Sequence, residues 1–215
     1  MESLHFVEYC GKTIETTVTN KASVAENWLL NRMRSLEQNG GLENRVSGIG
    51  CKCFPPLNPA DSSIFTKKIA TLQLCMDTKC LVLQLPHMDY IPAQCFLRNL
   101  LANSGVITFV GVEVQKMWQK IMSEYGIEYL RCECKVVDVH FLAKAWFPMS
   151  YRRRPTLKAL AYGVAGLSMR KSTVGKCYRY GADWGAKILD EELVQQACVD
   201  AYALYEIALT LLKDP

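Results

Sequence analysis

Asp200 stands inside an apolar helical run, LVQQACVDAYALYEIALTLL at residues 193–212. Gln196 lies four residues earlier, one turn away on the same helical face. A carboxylate in such surroundings faces water or meets a basic partner, because burying an unpaired charge costs several kcal/mol. Cys51-x-Cys53 and Cys132-x-Cys134 offer four thiols of the kind that bind zinc. Their spacing is tighter than that of a structural zinc site and the first pair falls on a predicted strand, so buried or incidental thiols are the expectation. His5, His87 and His140 form no recognisable pairing with a nucleophile.

A second group could hold a strand of nucleic acid. Arg152, Arg153, Arg154, Lys158, Arg170, Lys171, Lys176 and Arg179 make the C-terminal half locally basic, with Tyr151, Tyr178 and Tyr180 among them. Arginines contact phosphates and rings stack on bases, which suits a single strand. A solvated loop, or one that docks on another subunit, is the competing reading. Trp28, Trp118, Trp146 and Trp184 read as core or interface residues.

These residues must be placed by a globular scaffold. The chain has 215 residues, 50% of them hydrophobic and 21% charged, enough for a sizeable core in one α/β domain. The net charge of +4, from 25 Lys and Arg against 21 Asp and Glu, permits a nucleic-acid partner without demanding one. No stretch approaches the ~20 apolar residues of a membrane span, and no secretory leader is evident. The ten scattered cysteines are therefore read as reduced thiols of a cytoplasmic or nuclear protein.

The pattern predicts two strands at 4–9 and 13–18 forming a hairpin, then a helix at 22–37 with Asn20 as its N-cap. Strands follow at 45–54, 69–76 and 80–85, the last two paired through a tight turn at 77–79. A helix at 92–101 and a continuous apolar strand at 107–112 come next, then a helix at 114–125. Residues 129–143 mix strand and helix character, residues 148–155 read as a loop, and 156–167 as a helix. The acids of Leu189-Asp190-Glu191-Glu192 signal the start of the last helix. Strands first, then alternating helix and strand, describe a mixed sheet flanked by helices.

Several runs together resemble one family. ATLQLCMDTKCLVLQL (70–85), FVGV (109–112), VVDV (136–139), TLKALA (156–161), ADWGAK (182–187) and ACVDAYALYEI (197–207) are similar to the 3′–5′ exonuclease domain of the ribonuclease D and Werner-syndrome type. KTIETTVTNKASV (12–24) resembles the small stand-alone plant members. The resemblance covers nearly the whole chain. It implies an RNase H-like α/β fold over residues 1–215, with a hairpin and helix at 1–44 ahead of an exonuclease-like core at 45–215. It also implies two-metal phosphodiester hydrolysis, in which Mg²⁺ or Mn²⁺ ions ~4 Å apart sit on carboxylates.

The sequence departs from the family at the carboxylates themselves. By the resemblance, Gly50 and Lys52 occupy the Asp-x-Glu positions of the first core strand. Met117 occupies the second Asp position, and Gln196 the tyrosine position of the final helix. Asp200 alone is retained. Asp190-x-Glu192 is the other Asp-x-Glu, and reads as helix-start acids. Glu113, four residues before Met117, is a displaced-ligand alternative. Strand alternation puts Gly50 and Lys52 on one face and Cys51 and Cys53 on the other. In the geometry that the resemblance implies, Lys52 points toward Asp200, and it is expected to pair with Asp200 in place of the missing metal charge.

The expected function is that of a catalytically inactive exonuclease-like protein without a cofactor, binding nucleic acid or associating with a nuclease. One alternative is an active Mg²⁺- or Mn²⁺-dependent exonuclease with non-standard ligands. Another is an oligomerisation or scaffold subunit, alone or with an active relative, since the small plant members form homo-oligomers.

Overall fold

In the computed structural model, residues 1–39, 41–54, 68–102, 106–127, 135–146, 154–169 and 182–213 are described. A seven-stranded mixed sheet runs through them in the order β1-β2-β5-β4-β3-β6-β7. β1 (Glu2–Tyr9) and β2 (Lys12–Thr19) form the expected antiparallel hairpin. Its turn lies at Cys10 and Gly11, both at positive φ, one residue earlier than the sequence suggests. β4 (Ile69–Met76) and β5 (Lys79–Gln84) form the second hairpin, and β5 runs parallel to β2. β3 (Val46–Cys53) pairs antiparallel with β4 and parallel with β6 (Thr108–Gly111). β7 (Val136–Asp138) closes the far side, parallel to β6.

Both faces of the central strands are covered. Leu72, Leu74 and Met76 of β4 and Leu81 and Leu83 of β5 pack into one apolar cluster with α1 (Ala22–Asn39), α3 (Tyr90–Ala102) and α4 (Val114–Glu124). Cys75 and Cys80, on the opposite pleat, pack with α5 (Val139–Trp146), α6 (Leu157–Ala165) and α7 (Glu191–Lys213). This is the expected α/β RNase H-like arrangement, and it explains why the strands read as nearly continuous apolar runs.

Three local expectations need correction. A four-residue helix, α2 (Leu42–Arg45), precedes β3, so Arg45 belongs to it and not to the strand. Asn20 does not cap α1: its Oδ1 accepts from the Met1 amino group. α7 is buried on more than one face: α6 and α5 pack against it as well as the sheet, and Tyr202 and Tyr205 are buried along with Ala197, Ala201 and Ala208, Tyr202 with its ring edge-on to Tyr9 of β1.

The approach of α7 to the sheet is set by Gly48. A methyl group there would lie 2.0 Å from the Ala201 carbonyl oxygen and 2.6 Å from the Tyr205 nitrogen. With only hydrogen at that position, the helix backbone rests directly on β3. Asp190 caps the helix through its side chain, accepting from the Leu193 nitrogen at 2.8 Å, as its acidic start signals.

Candidate functional site

β3 carries Gly48, Gly50 and Lys52 on the pleat that faces α7, and Cys51 and Cys53 on the other. The register sets Gly50 opposite Gln73 and Lys52 opposite Thr71. α7 crosses above them, so Asp200, one residue before the Ala201 that touches Gly48, arrives over the C-terminal end of β3. The Lys52 ammonium meets the Asp200 carboxylate there and donates to Oδ2. The two side chains are 11% and 25% exposed, so the pair is shielded but not sealed. The Trp184 ring also faces Lys52, its centroid 5.3 Å from Nζ, within cation–π range.

Trp184 belongs to an irregular segment anchored to the sheet ends. His87 Nε2 lies 2.7 Å from the Gly185 carbonyl oxygen, and Gln84 Nε2 donates to the Ala186 carbonyl at 2.9 Å. Phe54, just past β3, leaves no space for a side chain at residue 185. Trp184 is 8% exposed, in keeping with a core residue. Its contact with Lys52 has no counterpart in the sequence pattern, because the segment has no periodicity to place it.

The remaining positions of this site supply no further charge. A methyl group on Gly50 would meet only the tip of the Gln73 side chain, at 3.3 Å. Met117 is 3% exposed and belongs to the apolar cluster on the α4 side. Gln196 Oε1 is buried and has no hydrogen-bond partner among the described residues. A pair of divalent cations needs several carboxylates in close array. Here one carboxylate is already held by an ammonium, so the donor set does not fit such a pair. Among the described residues no group of three or more His, Cys, Asp or Glu side chains is arranged to hold a metal ion.

Glu113, the displaced-ligand alternative, lies at the start of α4. It opens α4 in the left-handed region, at φ 47 and ψ 35. Its carboxylate accepts from Lys116 at 2.9 Å and from Arg154 at 3.3 Å, both exposed surface pairs. Its backbone nitrogen donates to Asp138 Oδ2 at 2.8 Å. Asp138 also accepts from the His140 backbone nitrogen at 2.8 Å, and lies 3.0 Å from His140 Nδ1. His140 Nε2 reaches the Pro155 carbonyl at 2.8 Å. This network ties the ends of β6 and β7 to the residues that open α6.

Of the proposed nucleic-acid contacts, Arg154 and Lys158 are exposed. Arg152, Arg153, Arg170, Lys171, Lys176, Arg179, Tyr151, Tyr178 and Tyr180 lie outside the described residues, as do Cys132 and Cys134. The Cys51 thiol hydrogen-bonds to Cys53, and this bond, with burial, pushes it well above the ordinary thiol range. No helix among the described residues is long and apolar enough to cross a membrane.

No protein-family model matches the sequence, and no curated protein matches it. Solved structures do match. RNase D of Trypanosoma brucei in complex with GMP superposes with a TM-score of 0.73 at 14% identity, covering 93% of this chain and 57% of that one. The same enzyme in complex with RNA U12 gives 0.71 at 17% identity, covering 93% of this chain and 63% of that one. This chain thus spans about three fifths of the RNase D chains it matches. The Nibbler EXO domain of Aedes aegypti gives 0.66 at 13% identity, covering 97% of this chain and 91% of that one. At these identities the likeness is one of fold. The chain carries the fold of the RNase D and Nibbler EXO structures, the RNase H-like fold expected of a 3′–5′ exonuclease domain.

Proposed function

We propose that this protein is a catalytically silent exonuclease-fold protein that holds single-stranded nucleic acid without hydrolysing it. The observation that carries the reading is the Lys52–Asp200 ion pair. It occupies the position where, by the resemblance, the first-strand carboxylate and the final-helix aspartate would share a metal. A fixed ammonium supplies positive charge there, but it cannot bind and activate water as a metal does. The fold match to an RNase D complexed with RNA and the exposed Arg154 and Lys158 support retention of a strand.

The test is degradation of a labelled single-stranded oligonucleotide with Mg²⁺ and with Mn²⁺, run beside Asp200→Ala. An intact oligonucleotide that is nevertheless retained in a binding titration is the expected result. Metal-dependent trimming that disappears in Asp200→Ala would establish a working active site and end this reading.

A further inference from the structure

The geometry points to the outer face of α6 and the residue leading into it as a docking surface for a single strand, with Tyr162 stacking on a base. This rests on the binding role proposed above and assigns it to particular residues. Lys158 and Tyr162 are one helical turn apart, so they share a face. Both are exposed, Tyr162 to 72%. An aromatic ring left that open on a short helix gains nothing from burial.

The segment's own charge is one-sided. Residues 154–169 contain Arg154 and Lys158 and no acid, and Arg152-Arg153 and Arg170-Lys171 adjoin them in sequence. The face turned inward is occupied: Leu160 and Ala161 are buried against α7. The start of α6 is held firm, with Thr156 Oγ1 accepting from the Ala159 nitrogen at 3.2 Å and Pro155 tied to His140. That fixed start makes the surface a preorganised one. An anionic partner that also offers planar rings matches a basic and aromatic stripe, which singles out a single-stranded nucleic acid over an acidic peptide.

Arg154 is 70% exposed and its one ion pair among the described residues is with Glu113, at 3.3 Å. An exposed pair of this kind is weak, so a phosphate can take the guanidinium from the carboxylate. Glu113 therefore restrains the surface, and removing its charge should strengthen binding.

Fluorescence anisotropy of a labelled single-stranded oligonucleotide, titrated against salt, tests this. Tyr162→Ala should weaken binding about 5- to 150-fold, and Tyr162→Trp should restore it. Lys158→Ala should weaken binding and lower the salt slope by about 0.7. Glu113→Gln should tighten it. If the wild type binds and all these variants bind equally, the α6 surface is wrong while the binding role stands. If the wild type does not bind at low salt, the binding role itself fails. Binding lost in Lys158→Ala but unchanged in Tyr162→Ala removes the stacking assignment. Equal displacement by polyglutamate overturns the nucleic-acid assignment in favour of an acidic protein partner.

Discussion

Lys52 and Asp200 are 148 residues apart in sequence and joined by a direct ion pair that ties β3 to the middle of α7. The contact depends on Gly48, which lets α7 lie close enough for a helical aspartate to reach a strand lysine. β3 and α7 thus bring together opposite charges from distant parts of the chain.

The pair makes a distinct prediction for stability. Removing either partner takes this pairing from a charge in a shielded site, so Lys52→Ala or Asp200→Ala should cost about 3 kcal/mol. For a chain of this size that is a fall in Tm of roughly 6–12 °C. The double variant Lys52→Met, Asp200→Leu replaces both charges by apolar groups and should recover most of the loss. A thermal or urea melt decides it. Additive losses in the double variant would show that the two residues act independently.

Gly48 and Gly50 lie two residues apart on the same pleat, yet should respond differently to alanine. At Gly48 the new methyl meets helix backbone at 2.0 Å, so α7 must move away from β3. Gly48→Ala should destabilise by about 3 kcal/mol or more. At Gly50 it meets only the end of the Gln73 side chain at 3.3 Å. Gly50→Ala should therefore change stability by less than about 1 kcal/mol. Equal effects in chemical denaturation would refute the close packing of α7 on Gly48.

Strand alternation and helical periodicity made much of this legible. They put Lys52 and Gly50 on one pleat and Asp200 and Gln196 on one helical face, and the family order of elements then brought the two faces together. The contact of Trp184 with Lys52 was not legible, because it depends on an irregular segment held by His87 and Gln84 from other elements. Asn20 has the residue type of a cap, but its acceptor is taken by the Met1 amine, a contact across the hairpin that local sequence does not encode. The exposure of Tyr162 was also hidden, since apolar neighbours on a short helix do not reveal which side meets α7.

High pH should unfold the protein through its tyrosines. Burial pushes the Tyr125 phenol up to about 12. Burial also raises Tyr9, Tyr202 and Tyr205 well beyond the usual phenol range, Tyr202 with help from its 2.6 Å hydrogen bond to Glu206. Above about pH 10 the unfolded chain loses these protons while the folded chain keeps them. The unfolded state then binds fewer protons, and stability falls as pH rises. Below pH 10 this contribution is fully present. Absorbance at ~295 nm should show these phenols ionising together with unfolding. A smooth ionisation with the fold intact would refute it.

The exposed and the fully buried cysteines among the described residues should differ sharply in reactivity. Cys10 and Cys95 are exposed, whereas Cys75 and Cys80 of the sheet and Cys198 of α7 are buried together. Burial raises the Cys75 and Cys80 thiols above the ordinary range, and a hydrogen bond with Cys80, reinforced by burial, raises Cys198. Only the thiolate is a good nucleophile, so the buried three are doubly protected, by access and by protonation. Brief alkylation followed by peptide mass spectrometry should label Cys10 and Cys95 before Cys75, Cys80 and Cys198. Labelling of Cys75, Cys80 and Cys198 should wait for denaturant and follow the unfolding transition. Rapid native-state labelling of Cys198 would mean that α7 lifts from the sheet, and with it the Lys52–Asp200 pair.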